Sequence, residues 1–167
     1  MHKLAVFIAP CLFLLLPAVG FSEVQIPSDC RIANKPPGRC GWCALETLAR
    51  RHAIKPLYGV VDKHPAQSRP RDLEGVVAAT QVKYRIQERG SRNTEILRDA
   101  ISRDLGAVVG LRPLYPGAGG HIVTLVEFGP KEVRILDPND ADRRVRAMDL
   151  ETFLNRWDGF ALVLDPS

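Results

Sequence analysis

Residues 34–51 read NKPPGRCGWCALETLARR, and this stretch decides how the rest of the chain is interpreted. Its first part, up to Arg39, belongs to a Pro- and Gly-rich segment that predicts an ordered loop. From Gly41 to about His52 the apolar side chains recur at helical spacing, which predicts a helix with Cys40 at its start. A thiol at a helix N-terminus has its thiolate stabilised by the helix dipole and by unpaired N–H groups. Cys40 is therefore a candidate nucleophile.

The remaining sequence predicts helices before a sheet. Helices are expected at residues 71–80, 94–105 and 150–157, and strands at residues 82–87, 107–111, 122–128, 133–136 and 160–164. The order indicates an α+β domain in which an N-terminal helical layer packs on a mostly antiparallel sheet. The basic residues 143–146 are predicted to form a solvated loop. His52 and His64 are predicted to be surface residues.

Two polar residues stand at the ends of neighbouring predicted strands. His121 opens the strand at 122–128, Asp137 closes the strand at 133–136, and Gly129-Pro130 is a natural turn between them. The turn brings both side chains to the same end of the sheet, where a histidine can reach the Cys40 sulfur and a carboxylate can orient its ring. Cys40, His121 and Asp137 thus have the residue types of a thiol hydrolase. The side-chain amide of Asn34 is the nearest candidate for holding an oxyanion.

The succession of these motifs resembles the bacteriocin-processing cysteine peptidases, papain-like domains that remove double-glycine leader peptides beside export ABC transporters. The motifs that carry the resemblance are, in chain order, Asn34, Cys40-Gly41, Gly120-His121, Asp137-Pro138, Met148, Glu151 to Phe153 and Trp157-Asp158-Gly159. They span nearly all of the chain after the first 22 residues. The resemblance implies a papain-like fold with Cys40 as nucleophile, His121 as general base and then acid, Asp137 as orienting residue and Asn34 in the oxyanion position.

Two positions depart from the family pattern. The family usually has Gln where this chain has Asn34, and Asp where it has Arg39. Asn is one methylene shorter than Gln, so a catalytically inactive papain-like module that binds peptides in the same cleft is an open alternative. The transporter's membrane and ATPase domains have no counterpart here, and the resemblance therefore implies a free-standing, exported relative.

The first 22 residues predict a secretory signal peptide. Met1-His2-Lys3 is a short basic start, residues 4–16 are apolar, and Ala18-Val19-Gly20 supplies small residues for cleavage near positions 20–22. The apolar run is shorter than the ~20 residues that span a bilayer. We expect residues 23–167 to form a single exported domain, periplasmic or secreted, with no stable membrane anchor.

The numbers of basic and acidic residues indicate which class of partner to expect. Lys3 is the only charged residue of the predicted signal, so residues 23–167 hold 22 basic and 19 acidic residues, a net charge of +3. That balance is too even to predict a nucleic-acid partner. We expect a peptide or protein substrate, a monomeric state and no cofactor.

Cys30, Cys40 and Cys43 follow the predicted signal, and an odd number leaves one cysteine unpaired in an oxidising compartment. If Cys40 is the nucleophile, Cys30 and Cys43 are candidates for a disulfide. Cys43 is the alternative nucleophile, because papain uses the second cysteine of Cys-Gly-x-Cys. However, the residue six positions before Cys43 is Pro37, which has no side-chain donor.

Two functions from other classes use the same thiols. Cys40-Gly41-Trp42-Cys43 at a helix start is also typical of thioredoxin-like redox proteins, although there a strand rather than a Pro-rich loop precedes the motif. Zinc binding by Cys30, Cys40, Cys43 and His52 has suitable ligand types. Because an exported protein enters an oxidising environment, where free thiolates are not maintained for binding a metal, we predict no metal site.

Overall fold

The computed structural model describes residues 23–115 and 119–166, and the predicted signal peptide lies outside the described residues. Its helices are α1 (Cys40–Arg51), α2 (Val60–Lys63), α3 (Pro70–Ala78), α4 (Glu95–Ser102) and α5 (Leu150–Arg156). Its strands are β1 (Lys83–Gln87), β2 (Ala107–Leu111), β3 (His121–Phe128), β4 (Glu132–Leu136), β5 (Val145–Asp149) and β6 (Trp157–Asp165). Within the described ranges, no helix has the length and apolar character needed to cross a membrane.

The strands form one antiparallel sheet in the order β1-β6-β2-β3-β4-β5. The last strand, β6, therefore lies between β1 and β2. Residue Leu111 at the end of β2 pairs with His121 at the start of β3, and Thr124 of β3 pairs with Leu136 of β4. This register places the start of β3 beside the end of β4, as the predicted turn at Gly129-Pro130 requires. The predicted α+β class and the antiparallel sheet are confirmed.

Helix α1 is the most deeply buried helix and fixes the position of Cys40. Its residues from Cys40 to Ala49 are all buried, and it packs mainly against β3. The fully buried side chains of Leu45 and Leu48 belong to the main hydrophobic core. Burying side chains of this size stabilises the fold by about 1.5–3 kcal/mol each. The first turn of α1 is thereby held against the sheet end that carries His121.

An aromatic cluster packs α5 on the sheet. Phe153 of α5 meets Phe128 edge-on at 6.1 Å and stacks on Trp157 at 6.3 Å. The indole N–H of Trp157 donates to the carbonyl oxygen of Phe160 at 2.8 Å, so its one polar group is satisfied inside the core. This packing anchors the segment that joins β5 to β6.

The structure corrects two sequence-based predictions about the sheet. Val145 and Arg146 were expected in a loop, but they begin strand β5. This strand lies at the edge of the sheet and is largely exposed, so it needs no apolar alternation, and charged side chains are typical there. Strand β6 begins at Trp157, three residues before the predicted start, and passes through Gly159 at a φ of +98°, which favours glycine.

The prediction that His52 and His64 are surface residues is wrong, because both are half-buried. The Nε2 atom of His52 lies 2.8 Å from the carbonyl oxygen of Leu105, and burial lowers the pKa of His52. The His64 ring stacks on Trp42 with 4.6 Å between ring centroids. Both histidines therefore attach neighbouring loops to α1.

Candidate active site

The structure brings Cys40, His121 and Asp137 together in one cleft of 470 Å³. Cys40 comes from the start of α1, His121 from the start of β3, and Asp137 directly follows β4. Asn34 lines the same cleft. The sequence-predicted site residues thus share one location, at the end of the sheet that faces the first turn of α1.

A hydrogen bond joins His121 to Asp137. The Nε2 atom of His121 lies 2.7 Å from Oδ1 of Asp137, and their side chains are only 19% and 30% exposed. The same carboxylate oxygen accepts the backbone N–H of Asn139 at 2.8 Å. Because Nε2 faces Asp137, Nδ1 is the ring nitrogen left to interact with the Cys40 side chain, whose pKa His121 lowers. His121 thus interacts with both the Asp137 carboxylate and the Cys40 thiol.

The electrostatics of the site favour a Cys40 thiolate paired with a His121 imidazolium. Burial alone would raise the pKa of the Cys40 thiol, but the hydrogen bond and charge of His121, with the N–H groups of Ile122 and Gly41, lower that pKa overall. Burial opposes the imidazolium, yet Asp137 and Cys40 raise the pKa of His121 to about 9. The pKa of Asp137 is lowered, because the bond to His121 outweighs its burial. Thiolate and imidazolium therefore coexist at pH values between the lowered pKa of Cys40 and about 9.

The first turn of α1 carries N–H groups that bear on the site, and that of Gly41 is one of the groups that lower the pKa of the Cys40 thiol. The first helical bond runs from the Cys43 N–H to the Arg39 carbonyl oxygen at 3.0 Å, so the Cys40 N–H precedes it and has no acceptor within the helix. The Gly41 N–H donates to Oγ of Ser68 at 2.9 Å. A Cβ atom on Gly41 would lie 2.5 Å from that hydroxyl oxygen, so a larger residue here would force Ser68 to shift. Ser68 stands in a loop without a sequence motif, and no pattern pointed to it.

Asn34 is buried, at 8% exposure, and both ends of its side-chain amide are engaged. Its Oδ1 accepts the Arg39 N–H at 2.9 Å, and its Nδ2 donates to Oδ1 of Asn139 at 2.5 Å. Its own N–H donates to the carbonyl oxygen of Pro138 at 2.8 Å. Asn34 thus ties the loop before α1 to the loop after β4, while one hydrogen of Nδ2 is left for another acceptor. Asn139 had no sequence signal beyond a turn-like Asp-Pro-Asn-Asp.

Arg39, the second departure from the family pattern, is also buried, at 9% exposure. Its guanidinium donates to the carbonyl oxygen of Val61 at 3.1 Å and to that of Lys35. Its Nε is buried without a hydrogen-bond partner. The side chain therefore ties the loop before Cys40 to α2 and does not line the cleft.

The three described cysteines differ in their surroundings. All are free thiols, so the bridge predicted between Cys30 and Cys43 is not formed in this structure. Cys43 is fully buried, its thiol donates to the Ala33 carbonyl oxygen at 3.5 Å, and burial raises its pKa to about 12. Of the two cysteines of α1, Cys40 lines the cleft and Cys43 does not.

The two alternatives from other classes lack their structural context. No strand precedes α1 within residues 23–39, whereas a thioredoxin-like motif follows a strand. His52 bonds to Leu105 rather than joining the cysteines. Across residues 23–115 and 119–166, no group of three or more His, Cys, Asp or Glu side chains is arranged to hold a metal ion.

No protein-family model matches this sequence, and no curated protein matches it either. Solved structures do match. A double glycine motif protease from an AMS/PCAT transporter, in complex with the leader peptide, has 13% identity and a TM-score of 0.60, with 87% of this chain and 94% of that chain covered. The peptidase domain of Streptococcus ComA, a bi-functional ABC transporter involved in a quorum-sensing pathway, has 18% identity and a TM-score of 0.60, with 81% and 97% covered.

The peptidase domain of Streptococcus mutans ComA is similar as well, at 16% identity and a TM-score of 0.53, with 81% of this chain and 99% of that chain covered. At such identities the likeness concerns the fold. The predicted papain-like fold is confirmed: this chain has the architecture of the double-glycine peptidase domains.

Proposed function

We propose that the protein is an exported papain-like cysteine peptidase that cleaves a peptide or amide bond with Cys40, His121 and Asp137. The observation that carries this proposal is the convergence of these three side chains in one cleft, where His121 is hydrogen-bonded to Asp137 and interacts with the Cys40 thiol. The solved structures of the same fold are peptidases, and one of them holds a leader peptide, which supports a peptide as the substrate. Export is supported by the signal-like sequence of residues 1–22.

The geometry suits nucleophilic catalysis. The Cys40 thiolate attacks the carbonyl carbon, and the C=O electron pair moves onto the oxygen, where the Cys40 N–H and the remaining amide hydrogen of Asn34 stabilise the charge. As the C–N bond breaks, the His121 imidazolium gives its proton to the leaving amine and leaves a thioester on Cys40. His121 then takes a proton from water, the hydroxide releases the acid, and the thiolate–imidazolium pair is restored. Asp137 keeps the ring in the required tautomer.

One observation favours a second candidate, a papain-like module that binds peptides without cleaving them. The Nδ2 atom of Asn34 is bonded to Asn139 at 2.5 Å, so the side chain expected to complete the oxyanion site is partly committed elsewhere. Such a module would retain the cleft and the activated thiol but fail to stabilise a tetrahedral intermediate.

An alkylation experiment tests the proposal without a known substrate. At neutral pH, iodoacetamide should modify Cys40 faster than it modifies free cysteine, and His121→Ala should abolish the advantage. His64→Ala is the matched control, because His64 lies outside the cleft. Equal rates for Cys40 and free cysteine would contradict an activated thiolate. Fast alkylation without hydrolysis of a fluorogenic casein or of a mixed peptide library would identify the non-cleaving module.

A further inference from the structure

A second cavity of 480 Å³ adjoins the cleft that holds Cys40. The two share Gln67, Ser68 and Gly120 in their walls. The Ser68 hydroxyl accepts the N–H of Gly41, the residue that follows Cys40. Because Ser68 lines the second cavity, that cavity lies close to the proposed nucleophile. On its other side it reaches Gly120, the residue before His121. A peptide lying across Cys40 would pass its opening.

Three arginines, Arg69, Arg71 and Arg89, line this second cavity, and no carboxylate does. Arg69 and Arg71 are exposed at the start of α3, and within the described part of the chain neither has a carboxylate at ion-pairing distance. The nearest acid along α3, Asp72, accepts the backbone N–H of Arg69 at 3.0 Å and lies outside the cavity lining. The positive charge of both guanidinium groups is therefore uncompensated.

Arg89 is held in place by one carboxylate. Its Nε lies 2.7 Å from Oδ2 of Asp158, while Oδ1 of Asp158 accepts the N–H of Phe160 at 2.9 Å. The Arg89 side chain is still 57% exposed. One of its terminal nitrogens lies 3.7 Å from the position that a Cβ on Gly120 would occupy. Asp158 thus orients Arg89 toward the cavity and leaves its terminal N–H groups available.

The neighbouring cleft also has an excess of positive charge. Its lining contains Arg112 and Arg156, and its one carboxylate, Asp137, is bonded to His121. The Nε atom of Arg156 is buried and has no hydrogen-bond partner. Concave surfaces lined by one sign of charge concentrate the field and raise the local concentration of the opposite ion. The joined cavities therefore favour an anionic ligand.

We propose that the cavity lined by Arg69, Arg71 and Arg89 is a subsite for an acidic side chain of the peptide substrate. A planar guanidinium binds a carboxylate through two parallel hydrogen bonds, which gives direction as well as charge. The subsite rests on the proposed peptidase function, because it names the class of peptide that the same cleft accepts.

Two alkylating reagents of nearly equal size test the subsite. Iodoacetate carries a carboxylate where iodoacetamide carries a neutral amide. In the wild-type protein, the ratio of the iodoacetate to the iodoacetamide rate at Cys40 should exceed the ratio for free cysteine by about tenfold. Arg69→Glu/Arg71→Glu should return it toward the free-cysteine value, and so should ~1 M salt. Arg144→Glu, on an exposed loop, is the control and should leave the ratio unchanged.

A general attraction of anions to the cleft must also be distinguished from binding of one acidic side chain at a defined subsite. Acetylated tetra-alanine amides with Glu at one position in turn, and matched peptides with Gln, can be compared as protectants of Cys40 against iodoacetamide. The subsite predicts that Glu protects better than Gln at one position only, and that the double variant removes this preference. Arg69→Gln/Arg71→Gln gives a milder version should charge reversal impair folding.

The outcomes separate the two proposals. A wild-type ratio equal to that of free cysteine, or equal protection by Glu and Gln peptides, would overturn the subsite. The iodoacetamide rate alone reports thiol activation, so a slow rate with a raised ratio would overturn the peptidase proposal and leave the anion preference standing.

Discussion

The Nε2 atom of His121 lies 2.7 Å from Oδ1 of Asp137, and this contact opposes the effect of burial on the histidine. Burial by itself lowers the pKa of His121, whereas Asp137 and Cys40 raise it to about 9. Hydrolysis by the proposed mechanism needs the Cys40 thiolate and the His121 imidazolium together. Activity should therefore rise with pH as Cys40 ionises and fall as pH passes through about 9.

Asp137→Asn should move the fall in activity to lower pH. Without the carboxylate only Cys40 opposes the effect of burial, so the pKa of His121 should fall below about 9. An NMR titration of the His121 ring protons measures this directly. Asp142→Asn, on an exposed loop, should leave the titration in place. An unchanged His121 pKa in Asp137→Asn would contradict the role given to this contact.

Cys40→Ala and Cys43→Ala should show which of the two cysteines of α1 is reactive. Cys40→Ala should remove fast modification by iodoacetamide, while Cys43→Ala should retain it, because Cys43 is fully buried and has a pKa of about 12. Peptide mass mapping locates the modified residue. Modification at Cys43 in the wild-type protein would reverse the assignment of the nucleophile.

Gly41→Ala should damage the site by steric overlap. Its Cβ would lie 2.5 Å from Oγ of Ser68 and 3.0 Å from a methyl carbon of Ile122, so we expect a loss of about 1–3 kcal/mol in the free energy of unfolding. The control is Gly75→Ala in α3, where no atom beyond the neighbouring residues and backbone of the same helix lies within 4 Å of the new Cβ. That variant should gain about 0.5–1 kcal/mol from helix propensity. Urea unfolding of both variants gives the comparison, and equal effects would contradict the close contact with Ser68.

Asn34→Ala should have one effect on stability and another on oxyanion binding. It leaves the buried N–H of Arg39 without its acceptor, which should cost about 1–3 kcal/mol of unfolding free energy. Loss of an oxyanion donor should also weaken binding of a peptide aldehyde, which forms a tetrahedral adduct, by about tenfold or more. Alkylation by iodoacetamide forms no oxyanion and should change little.

The matched variant for Asn34→Ala is Asn139→Ala, which removes the acceptor of the Asn34 amide and keeps Asn34 itself. It should retain aldehyde binding. Weakened stability with unchanged aldehyde affinity in Asn34→Ala would assign Asn34 a purely structural role.

The sequence predicted the parts of the fold that bury a regular apolar face. Helix α1 and strands β2, β3 and β4 have such faces, and their predicted positions agree with the structure. Strand β5 was missed because it lies at the sheet edge, where pairing with β4 rather than burial holds it. Helix α2 was missed because four residues contain barely one helical turn.

A site residue could be predicted from sequence where its residue type is uncommon at the end of a helix or strand unless it has a functional role. Cys40, His121 and Asp137 satisfy that condition. Ser68 and Asn139 do not, since serine and asparagine are common in loops and turns, and their contacts with Gly41 and Asn34 depend on tertiary packing. The cavity arginines also come from the start of α3, including the residue before it, and from the segment after β1, so only the fold shows that they share one wall.

The position of β6 between β1 and β2 has a consequence for how the thiol acquires its reactivity. The middle of the sheet stays open until the last strand in chain order is inserted, and the Asn34–Asn139 bond joins residues 105 positions apart. Contacts between residues so far apart in sequence cost loop-closure entropy before they stabilise the fold. A nascent or partly folded chain would thus carry an ordinary, weakly acidic cysteine, and completion of the fold would itself be the activating event.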